Sequence, residues 1–315
     1  MRFTRFLAGA ALSVALLGSC APTTLNLPDL PTLAAPASTD LTDRPAGSPD
    51  VVIFAVSGRC AIPCLGAPDA NVETLSRRGS IDLVREALEA RGLRVAVYTY
   101  AAHPAARYVS TTTGREERGF QQLQADFATV EADLVRGRRD PARIILLAHS
   151  HGVTWARNLV RLNPASTFDV TIDLDGVCSL WERDNAPLLR RIQRAPGGSP
   201  WPIDLVPSCR PIRVGRAFVH LKDIALDNVT YDLEVQSGGV LPPRAGDDGP
   251  VEGNYYRDGI RNRRVDGSTR GVQTLVSAGE NHSTVSYGGS RAMRWVVARL
   301  LELPIFTRPL DTPSP

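Results

Sequence analysis

A chain of 315 residues with 43% apolar and 22% charged side chains has ample material for a buried core and is too apolar for a disordered protein. Its formal net charge of +3 is small, and the basic residues are nearly all arginine, Lys222 being the single lysine. No nucleic acid or other polyanion is implied as a partner, and local arginine clusters reflect a bias of the whole chain rather than a site.

The N-terminus reads as a targeting segment. Arg2 and Arg5 precede an apolar run over 6–17 that is too short to span a bilayer, and Leu17-Gly18-Ser19-Cys20 closes it. This resembles a bacterial lipoprotein signal, the alternative being an ordinary secretory one. The resemblance implies removal of residues 1–19 and acylation of Cys20, a membrane anchor of several acyl chains. Ala21, rather than Asp, after the cysteine implies in that family the outer membrane, so the expected location is the bacterial cell envelope, facing the periplasm. Loss of Arg2 and Arg5 lowers the formal charge to +1. Residues 20–49 come next as a lipidated tether: six of residues 21–49 are proline, mixed with Thr, Ser and Ala without apolar periodicity. One folded domain is expected over 50–303, and 304–315, with four prolines, reads as a flexible tail.

Within the domain, apolar β-rich runs alternate with helical segments. A strand over 51–56 is followed by an amphipathic helix over 81–90 and a strand over 93–100. Phe120, Leu123, Phe127, Val130 and Leu134 then mark one face of a long helix. Strand 143–148 runs into a helix carrying Val153, Trp155, Leu159 and Val160. Strands over 170–174, 214–221 and 272–277 come next, and a helix over 291–301 closes the domain. Such alternation predicts a mostly parallel sheet with helices on both faces, an α/β fold whose site lies beyond the carboxyl ends of the strands.

The turn after strand 143–148 carries the chemistry. Ala148-His149-Ser150-His151-Gly152 places a serine between small residues at a sharp strand-to-helix turn, beside the backbone N–H groups that open the next helix. Ser150 is the candidate nucleophile. The strand order, the serine turn and the elements after it resemble the α/β-hydrolase fold over about 50–303, in a compact version without the first antiparallel strands of larger members. The resemblance implies a serine nucleophile, an acid after a later strand and a histidine after the last, in that order. His282, in Ala-Gly-Glu-Asn-His-Ser-Thr after the last strand, stands at the position of the base. His149 and His151 flank the serine, His220 reads as a core histidine within a strand, and His103 as a residue lining the pocket. For the acid, Leu174-Asp175-Gly176 is similar to the Leu-Asp-Pro segment of some neutral lipases and favours Asp175. Most members place the acid one strand later, which keeps Asp223, or Asp227, open. The backbone amides of Arg59, in the Gly58 turn after the first strand, and of His151 are the expected oxyanion donors.

The cysteines left in the domain are Cys60, Cys64, Cys178 and Cys209, an even number that favours two disulfides in an exported chain. Of the three pairings, Cys60 with Cys64 and Cys178 with Cys209 would each close a loop between adjacent core elements; buried free thiols are the alternative. No histidine lies at ligand spacing from them, so no metal is expected, nor any cofactor. Residues 178–209 enter where the family often carries a cap, and 238–271, with Tyr255 and Tyr256, is a second long insertion. The expected activity is hydrolysis of carboxylic esters, with an ester-containing small molecule or lipid as substrate. A non-catalytic binding lipoprotein of the same fold, or an acyltransferase or amidase using the same residues, are the alternatives.

Overall fold

The computed structural model describes residues 41–59, 74–109, 114–238 and 259–307. The signal with Cys20, most of the tether, Cys60, Cys64, Tyr255 and Tyr256 lie outside the described residues.

Among them, twelve strands run in chain order: β1 (Val51–Val56), β2 (Val95–Tyr100), β3 (Arg107–Val109), β4 (Glu116–Arg118), β5 (Arg143–His149), β6 (Phe168–Leu174), β7 (Ile212–Val214), β8 (Ala217–Val219), β9 (Ile224–Ala225), β10 (Val229–Gly238), β11 (Arg263–Arg264) and β12 (Val272–Ala278). Eight of them form one sheet in the order β12-β10-β6-β5-β1-β2-β4-β3, parallel throughout except for the antiparallel edge pair β3–β4. The helices are α1 (Thr74–Arg77), α2 (Ser80–Glu89), α3 (Phe120–Val130), α4 (His151–Leu162), α5 (Trp181–Gln193), α6 (Arg291–Glu302) and α7 (Pro304–Thr307). None is long and apolar enough to cross a membrane among the described residues.

β1 is apolar along its whole length, and β5 from Ile144 to Ala148, because helices cover both faces. Along β1, Val52, Phe54 and Val56 pack with Phe127, Trp155 and Trp181 from α3, α4 and α5. Val51, Ile53 and Ala55 pack with Val84, Leu88, Met293 and Val296 from α2 and α6. Each of the Val, Leu, Ile, Phe and Met side chains among them contributes about 1.5–3 kcal/mol by leaving water. With this strand order and a sharp serine turn after the central strand β5, the chain has an α/β-hydrolase fold.

Four expectations need correction. The run 214–221 is not a strand of the main sheet: Gly215, at φ +59, turns it into the separate hairpin β7–β8, and a 3₁₀ turn Leu221–Asp223 comes after it. The missing central strand is β10, whose alternate residues Asp232, Glu234 and Gln236 read as solvent-facing but are buried. The folded body begins before Asp50, since Thr42 bridges Arg138 and Arg44 pairs with Asp50 at 2.8 Å. Residues 304–307 belong to it too, as α7, which buries Phe306.

Asp232 of β10 is answered by Arg157 of α4, which is fully buried. Its guanidinium reaches Asp173 of β6 and Asp232 of β10, the latter at 2.7 Å. Asn262 donates to both carboxylates at 3.0 and 2.9 Å, and its backbone N–H donates to Glu234 at 3.0 Å. The cluster ties the return of the second insertion to the sheet, its carboxylates finding donors inside a low-dielectric region.

Candidate active site

β5 delivers Ser150 at its carboxyl end. Ser150 takes φ 58, a left-handed conformation that a non-glycine residue holds only when its surroundings enforce it. The enforcement is close packing against the end of β1, which pairs with β5 in the register Val56 to Ala148. A Cβ on Gly152 would lie 2.3 Å from the carbonyl oxygen of Val56, and one on Gly58 would lie 2.8 Å from Ser150 Cβ and from His149 Nδ1. Glycine at both positions lets the β1 turn press against the serine. The backbone N–H of Ser150 donates to Leu174 O at 3.1 Å, tying the turn to β6.

His282 comes from the loop between β12 and α6, whose sequence fixes its shape. Glu280 accepts the Ser277 hydroxyl at 2.6 Å and the N–H groups of Arg291 and Ala292 at 2.6 and 3.0 Å, an anion at the head of α6. The Asn281 side chain accepts the N–H groups of Ser283 and Thr284 at 3.0 and 2.8 Å, turning the chain so that the ring points inward. Arg78 holds the far side of the loop through Ser283 O at 2.6 Å and the Ser286 hydroxyl at 2.8 Å, with its guanidinium 4.6 Å above the Tyr287 ring.

The two side chains meet although 132 positions separate them: His282 Nε2 lies 3.0 Å from Ser150 Oγ. On the other side of the ring, Nδ1 lies 2.7 Å from Asp175 Oδ2. Facing a carboxylate, Nδ1 carries the proton and donates, which leaves Nε2 to accept the serine hydroxyl. Burial alone would raise the Asp175 carboxyl; the hydrogen bond and charge of His282, then two bonds from Ser237, outweigh burial and hold it below the ordinary carboxylate value. All three side chains are nearly buried, at 6, 6 and 4% exposure for Ser150, His282 and Asp175, so little water competes for these bonds.

The remaining sequence candidates fall elsewhere. Asp223 is engaged by Lys222 and by the His220 backbone N–H at 2.8 Å, on the 3₁₀ turn away from His282. Asp227 is exposed in the turn before β10. His220 caps that 3₁₀ turn rather than sitting in a strand. His103 accepts the Ala105 N–H at 3.0 Å, a local turn contact. His151 opens α4, and its ring donates from Nε2 to Ser179 O at 2.7 Å. Burial pushes it down to about 4. Arg59 turns its side chain to Asp184 of α5 at 3.1 Å.

The pairing Cys178–Cys209 is formed. The segment it closes is part of the core: the Trp181 ring packs, tilted, 4.8 Å from that of Trp155, Trp201 lies 6.0 Å from Phe120, and Leu189 and Leu205 are fully buried. Among the described residues no group of three or more His, Cys, Asp or Glu side chains is placed to hold a metal ion.

Two neighbours of the site have no signal of their own in the sequence. Ser237, at the end of β10, contacts Asp175, and His149 donates from Nε2 to the backbone oxygen of His282 at 2.8 Å with the two rings 4.7 Å apart. Burial, then the nearby His282, lowers the His149 ring well below its ordinary value. Ser237 is hidden because its strand is. The neighbour of a nucleophile is always a candidate contact, but no spacing rule says which loop it holds.

No family model matches the sequence, and no curated protein matches it. Among solved structures the chain is similar to an esterase domain of a Rhodothermus marinus protein, at 14% identity over 82% of this chain and 88% of that one, with a TM-score of 0.33. It is also similar to Est1E from Butyrivibrio proteoclasticus, solved with ferulic acid bound, at 13% identity over 82 and 90% of the two chains, with a TM-score of 0.37. At these values neither similarity carries an activity across.

Proposed function

We propose that the protein is a serine hydrolase that cleaves carboxylic esters through an acyl-enzyme on Ser150. The observation that carries the reading is the buried relay from Ser150 through His282 to Asp175, with bonds of 3.0 and 2.7 Å. An isolated hydroxyl is a poor nucleophile; a neutral imidazole on its proton makes it one. Ser150 Oγ attacks the ester carbonyl as His282 Nε2 takes its proton, and Asp175 supports the imidazolium so formed. The tetrahedral oxyanion is held by the backbone amides of Arg59 and His151, the latter opening α4 and without an intrahelical partner by helix geometry. Collapse breaks the bond to the alkoxy group, which leaves as the alcohol with the proton from His282. Water, activated by the same imidazole, then releases the acid.

The Pro-rich segment after Cys20 supports a lipid-anchored enzyme of the bacterial envelope, at the outer membrane on the periplasmic side, acting on a small ester or a lipid. A fluorophosphonate probe tests the chemistry: wild type is labelled to one equivalent and Ser150→Ala is not, and labelling of Ser150→Ala to the same extent would refute the assignment. p-Nitrophenyl esters of increasing chain length report turnover, and failure to hydrolyse any of them counts against an esterase.

A further inference from the structure

Ser237 and Asp175 stand side by side because β10 and β6 pair in parallel with Val235 opposite Leu174, and each residue lies just beyond that pair. The Ser237 backbone N–H donates to Asp175 Oδ1 at 2.8 Å, and its hydroxyl donates to Oδ2 at 2.7 Å. Oδ2 is also the atom that takes the Nδ1 proton of His282, at 2.7 Å. Ser237 is fully buried. The end of β10 and the His282 loop therefore act on one oxygen, and a single serine contacts both oxygens of the carboxylate.

We propose that Ser237 is a positioning residue of the relay, fixing the plane of the Asp175 carboxylate and moderating the charge on the oxygen that faces His282. The proposal rests on the serine-hydrolase reading above. A carboxylate on a single rotatable side chain is held in plane when each oxygen has its own donor in a rigid frame, and the end of a central strand is such a frame. A hydrogen bond to the charged form also spreads its charge. Oδ2 is then a weaker acceptor toward His282 than it would be alone, so the hydroxyl exchanges some stabilisation of the imidazolium for orientation.

Without the hydroxyl, the backbone bond to Oδ1 remains and Oδ2 faces His282 alone. The imidazolium becomes easier to form in the free enzyme, so the acid limb of activity against pH moves to higher pH, while looser orientation slows the chemical step. The other titratable or charged groups facing the pair are His149 of β5, His151 at the head of α4 and Arg78 ahead of α2. All are retained in a Ser237 variant, so a displaced limb reports on the serine.

The test is the pH dependence of kcat and kcat/KM on p-nitrophenyl acetate for wild type, Ser237→Ala and Ser237→Thr, with thermal unfolding measured alongside. For Ser237→Ala we expect kcat at the plateau to fall about three- to tenfold, KM to stay within about twofold, and the acid limb of kcat/KM to rise by about half a pH unit. Ser237→Thr, which keeps the hydroxyl, returns the limb to the wild-type position. Ser237→Cys, a weaker donor, falls between and serves if threonine does not fit. A Ser237→Ala profile superimposable on that of an active wild type overturns the role of Ser237 alone. An inactive, unlabelled wild type would remove the hydrolase reading beneath it.

Discussion

Gly58 separates the sequence signal from its structural reason. A glycine after the first strand suggests close approach of backbone to something, and in the fold that something is the Ser150 turn, with Ser150 Cβ and His149 Nδ1 each 2.8 Å from where a Cβ would sit. Alanine there has to push the β1 turn away from Ser150, displacing the Arg59 amide with it. Gly58→Ala is expected to lower kcat/KM at least about a hundredfold, because displacement by a fraction of an ångström at an oxyanion donor is enough. The thermal midpoint falls by only about a few degrees, since no core side chain is removed. Full activity in this variant would show that the turn lies outside the reaction path. Ser150 and His282, which contact one another, are nameable from sequence because each comes after a strand in a recognisable turn, whereas Asp175 is favoured there with Asp223 and Asp227 still open. Ser237 and the His149 contact are not nameable, because which loop a buried donor reaches depends on the assembled sheet.

The strands divide in the same way. β1 and the body of β5 are continuous apolar runs, legible because both faces are covered. β10 escapes a sequence reading because Asp232, Glu234 and Gln236 alternate with apolar residues as they would in a strand with one wet face, or in a loop. Asp232 finds its cation in Arg157 of α4, and Glu234 its donors in Asn262, Thr274 and Gln236, partners that the local pattern does not show. The edge strands β3 and β4 are three residues each and carry no periodic signal. Arg157→Met leaves Asp173 and Asp232 buried without the guanidinium, and is expected to lower unfolding free energy by about 3–5 kcal/mol, seen as a lower urea midpoint. Adding Asp173→Asn and Asp232→Asn to it removes the stranded carboxylates and recovers part of the loss. A neutral effect of Arg157→Met alone would mean that the cluster does not hold the second insertion to the sheet.

Across the whole molecule, two buried groups, one at the head of α4 and one on β6, give stability opposite dependences on pH. His151 is pushed down to about 4 by burial. Between that value and about 6.5 the unfolded chain binds a proton that the folded one does not, so this stability is complete above pH about 6.5 and is lost as pH falls through about 4. Asp173 is raised to about 8, chiefly by burial and then by Asp232 and Glu234, against the pull of Arg157. Here the folded chain keeps a proton that the unfolded chain has released. Its contribution is complete below pH about 4 and is lost as pH rises through about 8. Asp173→Asn carries the amide in both states and cannot titrate. The difference in urea midpoint between this variant and wild type is therefore expected to move steadily in favour of the variant from pH 5 through 6.5 to 8. The His151 slope, common to both proteins, cancels in that difference. A difference that stays constant over the same range would mean that Asp173 is ionised in the folded protein and that Arg157 alone carries the charge balance of the cluster.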